Sequence, residues 1–466
     1  MNSVDSAAHA AAHAFRTYAR TTPAQRAQLL RDIADGIEQL GDTLVTCVNR
    51  ETALPAARIL GERARTCMQL RLFADLAQRD EWIDARVDPA DAQRAPPKPQ
   101  VRSQLRPIGP VAVYAASNFP LAFSVAGGDT AAALAVGCPV VVKAHPAHPD
   151  TAALVAEVIR SAVHKCALPP GVFSLIADSS RESSVALVQH PSIKAGAFTG
   201  SLLGGMALWR AAQQRDEPIP FFAEMGSVNP IFLFPQALVR DAEGIAAGLH
   251  ASMTLGVGQF CTQPGLIFLV DDAVSRAFLE KLAALVKTTT PGVMLSPLIC
   301  GNYRHAIEAR SAVSGVRTLA RVDVGALRSQ GDDRLGGAAL FATDADTFCA
   351  QRALCEEVFG PASLAVLCKS PHDFVRCAAS LPGQLTAAVW SGGESFGDES
   401  DLLWTLEQKA GRIVFDGFPT GVEVGTAMMH GGPFPATSDS RFTSVGTRAI
   451  ERFVRPVAWQ MPTANS

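Results

Sequence analysis

The chain has 466 residues, of which 48% are hydrophobic and 18% are charged, and its formal net charge is −3. This length allows two or three domains with a large buried core, and the composition argues against disorder. A nearly neutral chain without a basic run is not expected to bind nucleic acid. The bulk properties therefore favour a globular protein, and its size favours an enzyme.

The ten cysteines are scattered without CxxC pairs, which is typical of a reducing compartment rather than of a disulfide scaffold. The first residues, MNSVDSAAHAAAH, lack the basic start and the apolar core of a signal peptide. No run of about 18 apolar residues is free of charges and helix breakers, so no membrane span is predicted. We therefore expect a cytoplasmic protein that binds neither membrane nor nucleic acid.

Residues 5–80 have the pattern of helices. Thr22 and Pro23 form a helix start, and leucines and isoleucines recur at helical spacing beyond them. A further helix is predicted over 57–79. Residues 81–107 change to an Asp- and Pro-rich connection followed by alternating residues, which predicts exposed strands suited to assembly.

From residue 107 onward, short apolar runs alternate with helical stretches. This alternation predicts a parallel sheet wound on both faces, where ligands bind at the carboxyl ends of the strands. Asn118, Lys143, the Gly200–Ser201 turn and Glu224 all follow such ends. The predicted strands are 111–114, 140–143, 172–176, 196–199 and 221–224, with helices over 124–135 and over 151–162, the latter capped by Asp150 or Thr151.

A second α/β unit follows, beginning near residue 266. A helix is predicted over 274–286 and a glycine-rich region over 292–336. The predicted strands of this unit are 364–367, 387–390 and 412–415, and a final strand covers 453–461.

Cys261 lies in a loop that enters an apolar run, which is where a scaffold places a nucleophile. Gly258 and Gly265 flank it and are expected to let the backbone turn tightly around the sulfur. A buried structural cysteine is the commoner interpretation of this residue type taken alone. The hypothesis of a nucleophile therefore depends on other residues.

Asn118 and Glu224 are the candidates that could support a thiol nucleophile. An amide at a strand end can donate to an oxyanion, although an Asx turn is the commoner interpretation. Glu224 lies among phenylalanines, so we expect a raised pKa suited to a general base; a capping or ion-pairing glutamate is the alternative.

The remaining polar candidates point to a nucleotide cofactor rather than to a metal. Lys143 could reach ribose hydroxyls or a phosphate, and Gly200 with Ser201 could hold a pyrophosphate on backbone amides. His145 and His148 have neither a nearby acid nor a cysteine partner, so no metal site is predicted.

Six motifs in order resemble those of the aldehyde dehydrogenase superfamily, and they extend over nearly the whole chain. The step of 37 residues from Glu224 to Cys261 is also close to the separation in that family. The motifs are SNFPLAF at 117–123, VVVKAHP at 140–146, FTGS at 198–201, AEMGSVNP at 223–230, GQFCTQPG at 258–265 and EEVFGP at 356–361.

The resemblance implies a role for each matching residue. It implies that Cys261 is the acylated nucleophile, that Glu224 is the general base, and that Asn118 with the amide of Cys261 forms the oxyanion hole. The implied cofactor-binding residues are Lys143, His145, Gly200, Ser201, Gly205, Glu357 and Phe359. The implied substrate-tunnel residues are Phe119, Phe123, Val422 and Phe434.

The terminal segment 421–460 is similar to one branch of this family, that of α-ketoglutarate semialdehyde (2,5-dioxovalerate) and NADP-dependent fatty aldehyde dehydrogenases. The resemblance implies oxidation of 2,5-dioxovalerate to 2-oxoglutarate, with aliphatic aldehydes as the alternative. An enzyme that releases its thioester to coenzyme A or phosphate is a further alternative, and so is a non-catalytic homologue. The anionic substrate calls for a cationic anchor, which the sequence does not identify.

The residue three positions after Lys143 bears on the cofactor. Many NAD-preferring relatives have a glutamate there, and this chain has Pro146. Because a carboxylate there would repel a 2′-phosphate, the resemblance implies that NADP is accepted and preferred over NAD. Asp416 is a departure, since asparagine is more usual before Gly417.

The fold implied by the resemblance is α/β, with a doubly wound cofactor domain, an α/β catalytic domain and a small β oligomerisation element. The expected boundaries are 1–84 and 108–225 for the first, 226–440 for the second, and 85–107 with 441–466 for the third. The strands of the third element suit a sheet between subunits, so a homodimer or homotetramer is expected.

Overall fold

A computed structural model of the chain describes residues 3–325, 333–393 and 400–462. Within these residues the chain forms two main sheets covered by helices, a small three-stranded sheet and a two-stranded pairing. The outermost residues of the expected boundaries, 1–2 and 463–466, lie outside this description. Among the described helices, none combines the length and the apolar character that a bilayer crossing requires.

Four helices form the first part of the chain. Thr22 caps the second of them as predicted: its hydroxyl accepts from the backbone N–H of Gln25, and the Gln25 side chain accepts from the N–H of Thr22. The second and fourth helices pack against each other and bury Leu29, Leu30 and Leu70. These helices are α1 (Ser3–Tyr18), α2 (Pro23–Gln39), α3 (Gly41–Thr52) and α4 (Ala56–Arg79).

The first large sheet has five parallel strands. Two earlier strands, β1 (Arg86–Asp88) and β2 (Val101–Pro107), belong to the small sheet. The parallel strands are β3 (Val111–Tyr114), β4 (Val140–Lys143), β5 (Phe173–Ile176), β6 (Ala195–Thr199) and β7 (Phe221–Glu224). The helices are α5 (Gly128–Ala135), α6 (Pro149–Lys165), α7 (Arg181–Gln189) and α8 (Leu202–Gln213). The spatial order β5-β4-β3-β6-β7 confirms the predicted doubly wound sheet.

Two predicted helix starts were wrong. Helix α5 begins at Gly128, because residues 119–127 form hydrogen-bonded turns before it. Helix α6 begins at Pro149, and neither Asp150 nor Thr151 caps it. Instead Glu51 at the end of α3 accepts hydrogen bonds from the backbone N–H groups of Asp150 (2.8 Å) and Thr151 (2.9 Å). This cap comes from a distant part of the chain, so local sequence does not reveal it.

The second large sheet has seven strands in the order β11-β13-β14-β9-β8-β15-β16, and β11 alone runs antiparallel to its neighbour. Its strands and the short β10–β12 pair are β8 (Ile231–Leu233), β9 (Leu266–Val270), β10 (Gly292–Val293), β11 (Arg317–Arg321), β12 (Leu335–Gly336), β13 (Ala339–Asp344), β14 (Ala362–Cys368), β15 (Gln384–Trp390) and β16 (Ala410–Phe415). The helices are α9 (Pro235–Thr254), α10 (Ala273–Lys287), α11 (Pro297–Ser311), α12 (Ala345–Ala350), α13 (His372–Ser380) and α14 (Asp401–Glu407).

The last strand, β17 (Val454–Gln460), confirms the strand predicted at the end of the chain. It pairs antiparallel with β2, and β2 pairs with β1 on its other side. Exposed residues predominate in β17 and β1, so this small sheet lies on the surface of the chain.

Candidate active site

The carboxyl edge of the first sheet brings the predicted polar residues to one end of the molecule. Lys143 and Glu224 are the last residues of β4 and β7, and Ser201 follows β6 and caps α8. Asn118 lies four residues beyond the end of β3. The Asn118 side chain donates to the carbonyl of Gln259 at 3.1 Å, so this edge contacts the loop of the predicted nucleophile.

The loop before Cys261 needs a glycine at position 258. Gly256, Val257 and Gly258 all have positive φ angles, of 57°, 57° and 65°. A Cβ atom added to Gly258 would lie 2.3 Å from the carbonyl carbon of Gly360, so a side chain does not fit there. Gly265 does not have a positive φ, so the expectation of a glycine-dependent turn holds at Gly258 and not at Gly265.

Asn229 holds the far side of this loop and was not selected from the sequence. Its amide nitrogen donates to the carbonyls of Cys261 and Gln263, both at 2.9 Å. Its amide oxygen accepts from the hydroxyl of Thr386 at 2.9 Å. The residue is fully buried at the start of the second sheet, so both large sheets fix the position of the nucleophile loop.

Two buried ionisable groups lie beside the thiol. The His430 Nε2 atom is 3.6 Å from Cys261 Sγ and 3.0 Å from Glu224 Oε1. The Ser444 hydroxyl donates to the other oxygen of Glu224. The backbone N–H of His430 donates to Thr443 Oγ1 at 2.9 Å, which fixes the backbone that carries the imidazole. The imidazole therefore lies between the candidate nucleophile and the candidate base.

The surroundings of Glu224 and Cys261 move their pKa values in opposite directions. Burial raises the pKa of Glu224, but the His430 pairing, the Ser444 hydrogen bond and the charge of Arg452 outweigh it and lower the pKa below its ordinary value. The raised pKa predicted from the neighbouring phenylalanines was therefore wrong. Burial and the charges of Glu224 and Glu357 raise the pKa of the Cys261 thiol well above 9.

A cavity of about 330 Å³ ends at Cys261 and His430. Phe119, Phe123 and Val422 line it, as the sequence predicts for a substrate tunnel, and Phe260 adds a third ring. Phe434 does not line this cavity, and 59% of the residue is exposed. The mouth of the Cys261 cavity is formed by residues of α4, namely Ala57, Arg58, Gly61, Glu62 and Arg65.

A second cleft, of about 800 Å³, lies at the carboxyl edge where the predicted cofactor residues Ser201 and Glu357 meet. A Cβ on Gly226, which lines this cleft, would be 2.5 Å from Glu357 Oε2. The predicted cofactor residue Gly205 is buried outside the lining, where a Cβ would be 2.7 Å from Met225 Sδ. Bare backbone in a cleft at a strand edge is the surface that a dinucleotide needs for close approach. The residues present therefore fit a nucleotide cofactor.

The other predicted cofactor residues lie outside the lining of this cleft. Lys143 is buried and donates to the carbonyl of Asp178 beyond β5. His145 stacks on His148 with ring centroids 5.4 Å apart, and burial lowers the pKa of His145 to about 3. Phe359 is half-buried. Gly200 donates its N–H to the carbonyl of Glu224 at 3.0 Å, so the turn predicted to bind pyrophosphate is joined to the end of β7.

The ligand atoms of Glu224, Cys261 and His430 all lie within 4.8 Å of one another, close enough to hold one metal ion. No spacing typical of metal ligands links these three residues, because they come from three distant segments of the chain. The expectation that the site works without a metal stays a prediction.

The fold and this site point to a class of protein: an enzyme that uses a nucleotide cofactor, with a half-buried cysteine as its candidate nucleophile. The profile of the aldehyde dehydrogenase family matches residues 1–397. The chain belongs to this family, whose members oxidise aldehydes with NAD(P).

Two relatives match almost the whole chain. The chain is 48% identical to alpha-ketoglutaric semialdehyde dehydrogenase 2 of Azospirillum brasilense, over 98% of this chain and 86% of the relative. It is 46% identical to alpha-ketoglutaric semialdehyde dehydrogenase of Acinetobacter baylyi, over 99% and 86%. Among solved structures, a betaine aldehyde dehydrogenase double mutant of Staphylococcus aureus in complex with NAD+ shares the fold, with a TM-score of 0.83 at 20% identity over 99% of this chain and 89% of that chain.

Proposed function

We propose that this enzyme oxidises 2,5-dioxovalerate to 2-oxoglutarate through a thioester on Cys261. The observation that carries the chemistry is that Cys261 and His430 line one cavity and that Glu224 pairs with the same His430 imidazole. The names of the two relatives that match nearly the whole chain support the choice of aldehyde.

In the first half of the reaction, the neutral imidazole of His430 carries its proton on Nδ1, the Cys261 thiol gives its proton to the free Nε2 atom, and the carboxylate of Glu224 stabilises the imidazolium that forms. The thiolate then adds to the aldehyde carbon, and a C–S bond forms. The oxyanion accepts hydrogen bonds from the Asn118 amide and the backbone N–H of Cys261. The His430 position removes the obstacle of the raised thiol pKa, because the proton acceptor already touches the sulfur.

When NAD(P) is bound, its nicotinamide supplies the acceptor for the hydride that leaves the adduct, which turns the adduct into a thioester. Ser201, Gly205 and Glu357 would hold the cofactor in the cleft that they line or border. Lys143 at the end of β4 would bind the adenosine ribose, once its ammonium group turns from the Asp178 carbonyl.

In the second half, Glu224 accepts a proton from water and the hydroxyl oxygen adds to the thioester carbon. The C–S bond breaks, the acid leaves, the departing thiolate regains its proton from His430, and Glu224 releases the proton taken from water to the solvent. The lowered pKa keeps Glu224 ionised at neutral pH, so it is ready as a base without prior deprotonation. A charged base beside the thioester supports release to water rather than to coenzyme A.

A panel of aldehydes tests the substrate. We expect kcat/KM to be highest for 2,5-dioxovalerate, above glutarate semialdehyde, hexanal and a long-chain aldehyde. The product is 2-oxoglutarate, with or without coenzyme A in the assay. A higher kcat/KM for hexanal would overturn the proposed substrate in favour of aliphatic aldehydes.

We extend this proposal to the cofactor and expect the enzyme to prefer NADP over NAD. The support is Pro146, three residues beyond Lys143, where no carboxylate opposes a 2′-phosphate. The Pro146→Glu variant introduces that carboxylate, so we expect its ratio of kcat/KM for NADP to that for NAD to fall at least tenfold. A wild-type enzyme that prefers NAD would contradict this part of the proposal.

We also propose that the enzyme is a homodimer or homotetramer assembled through the small sheet. The support is the surface position of β17 and the exposure of Trp459 on it, which leave an edge and an apolar side chain for a partner subunit.

A further inference from the structure

The mouth of the Cys261 cavity carries two arginines on α4, Arg58 and Arg65. Both are half-buried, and burial disfavours a guanidinium charge unless a partner compensates it. Their surroundings therefore decide whether the cavity is neutral or positively charged.

The charge of Arg58 is already compensated. Its Nη1 atom donates to Glu62 Oε2 at 2.8 Å, and its guanidinium lies over the Phe119 ring at 4.5 Å. The other oxygen of Glu62 accepts from the backbone N–H groups of Leu121 and Ala122, at 2.8 and 2.9 Å. Both carboxylate oxygens of Glu62 therefore have hydrogen-bond partners, and Arg58 is part of the cavity wall.

Arg65 has no such partner among the described residues. It forms no ion pair there, and its one hydrogen bond runs from Nη1 to the carbonyl of Val422. Its Nε atom is buried without a hydrogen-bond partner. Glu423 is nearby but exposed, and it makes no ion pair with Arg65. The three charged residues of α4 that line the cavity therefore leave it with one uncompensated positive charge and an unused guanidinium Nε.

We propose that Arg65 binds the carboxylate of the substrate, so that the cavity selects aldehydes carrying a carboxylate at the far end of a short chain. One positive charge at the mouth matches one carboxylate, and the apolar rings of Phe119, Phe123 and Phe260 suit the methylene groups between the two ends. Arginine forms bidentate hydrogen bonds with carboxylates, and the free Nε supplies one of them. This assignment rests on the proposed reaction, the oxidation of an aldehyde at Cys261. It does not depend on which oxo acid is the substrate.

The test compares kcat/KM for charged and uncharged aldehydes in the full-length enzyme. The substrates are 2,5-dioxovalerate, glutarate semialdehyde and pentanal, which has the same carbon number without a carboxylate. In Arg65→Met we expect the ratio of kcat/KM for each charged aldehyde to that for pentanal to fall about 10- to 100-fold, as for the loss of a charge-assisted hydrogen bond. Because both rates come from one preparation, a loss of folded protein cancels in the ratio.

Arg63→Met is the matched control, since it removes the same charge from the same helix. Arg63 donates to the carbonyl of Gly41, and it does not line the cavity. Its ratio should equal that of the wild type. Arg65→Gln keeps a donor for Val422 without the charge, so it should show the same fall as Arg65→Met and serves if the latter does not fold.

The outcomes separate the anchor from the proposed substrate. An unchanged ratio in Arg65→Met and Arg65→Gln overturns the anchor, even if the wild type oxidises 2,5-dioxovalerate efficiently. A wild type that favours glutarate semialdehyde over 2,5-dioxovalerate overturns the proposed substrate. The anchor then still stands if the Arg65 variants lose their preference for both charged aldehydes.

Discussion

In the proposed mechanism, the imidazole of His430 accepts the proton of the Cys261 thiol. A buried thiol beside two carboxylates holds its proton tightly, and the pKa of Cys261 is raised for that reason. The 3.6 Å contact with His430 Nε2 offsets this, because proton transfer there produces an imidazolium beside the Glu224 carboxylate. In the proposed mechanism the imidazole serves acylation and the carboxylate serves hydrolysis.

The His430→Gln variant tests the imidazole. Without a base at Nε2, we expect kcat/KM for the aldehyde to fall about 100-fold or more, the usual contribution of a general base. Alkylation of Cys261 by iodoacetamide at pH 7.5 should slow as well. His164→Gln is the control, because His164 is exposed on α6. Alkylation of His430→Gln at the wild-type rate would remove the imidazole from thiol activation.

The charge of Glu224 predicts a specific pH effect on the thiol. Negative charge next to a thiol disfavours the thiolate, so Glu224 raises the pKa of Cys261. In a His430→Gln background, where no imidazolium forms, Glu224→Gln removes that charge and lowers the thiol pKa, so we expect the rise of the alkylation rate with pH to shift to lower pH than in His430→Gln alone. The full profile from pH 6 to pH 10 measures the shift. A shift to higher pH would mean that Glu224 accepts the thiol proton.

The candidate cysteine, glutamate and asparagine could be selected from the sequence because each lies within a short motif next to a predicted strand. His430 could not, since the chain separates it from Cys261 by 169 residues and its own segment has no predicted element. Its one local signal is the pair of glycines that follows it. Close backbone packing requires the second of them, because a Cβ on Gly432 would lie 2.1 Å from the carbonyl oxygen of Gln384.

At the scale of elements, the nucleophile loop depends on tertiary contacts more than on its own hydrogen bonds. Asn229 at the start of the second sheet binds two carbonyls of the loop, and Asn118 from the first sheet binds a third. The apolar patterns predicted the strands themselves. They could not predict the start of α6, because its cap, Glu51, comes from a helix about a hundred residues earlier.

Gly258→Ala tests the geometry of this loop. The positive φ costs a side chain about 1–2 kcal/mol, and the contact with the Gly360 backbone adds to that. We expect a lower melting temperature and a larger relative loss of kcat, because Cys261 is displaced. Gly301→Ala on α11 is the control, since a Cβ there meets no atom within 4 Å and should not lower stability. Equal melting temperatures for both variants would contradict the close contact at Gly258.

At the level of the whole molecule, the small sheet pairs the last strand of the chain with the strands β1 and β2 and lies at the surface. Strand β17 pairs with β2 along its whole length, and 40% of Trp459 on β17 is exposed. A pattern of alternating residues was enough to predict these strands. Whether a partner subunit covers them depends on a surface that one chain does not contain.

Light scattering of the purified enzyme tests the assembly. We expect a mass of two or four times the 49.1 kDa of the chain. Trp459→Glu should shift the mass toward that of a single chain, since it puts a charge into the proposed interface. Trp404→Glu is the control, because Trp404 is 62% exposed on α14, away from the small sheet. A wild-type enzyme with the mass of one chain would rule out the proposed assembly.

The division of work between Cys261 and Glu224 can be measured most directly in a single turnover of Glu224→Gln. With NADP and aldehyde in excess, we expect a burst of at most one reduced cofactor per subunit, followed by almost no further reduction. Intact-mass spectrometry should then find the acyl group on Cys261, and Cys261→Ala should show neither burst nor adduct. Continued turnover of Glu224→Gln near the wild-type rate would contradict the role of Glu224 in hydrolysis. A burst without an acylated Cys261 would contradict the role of Cys261 as the nucleophile.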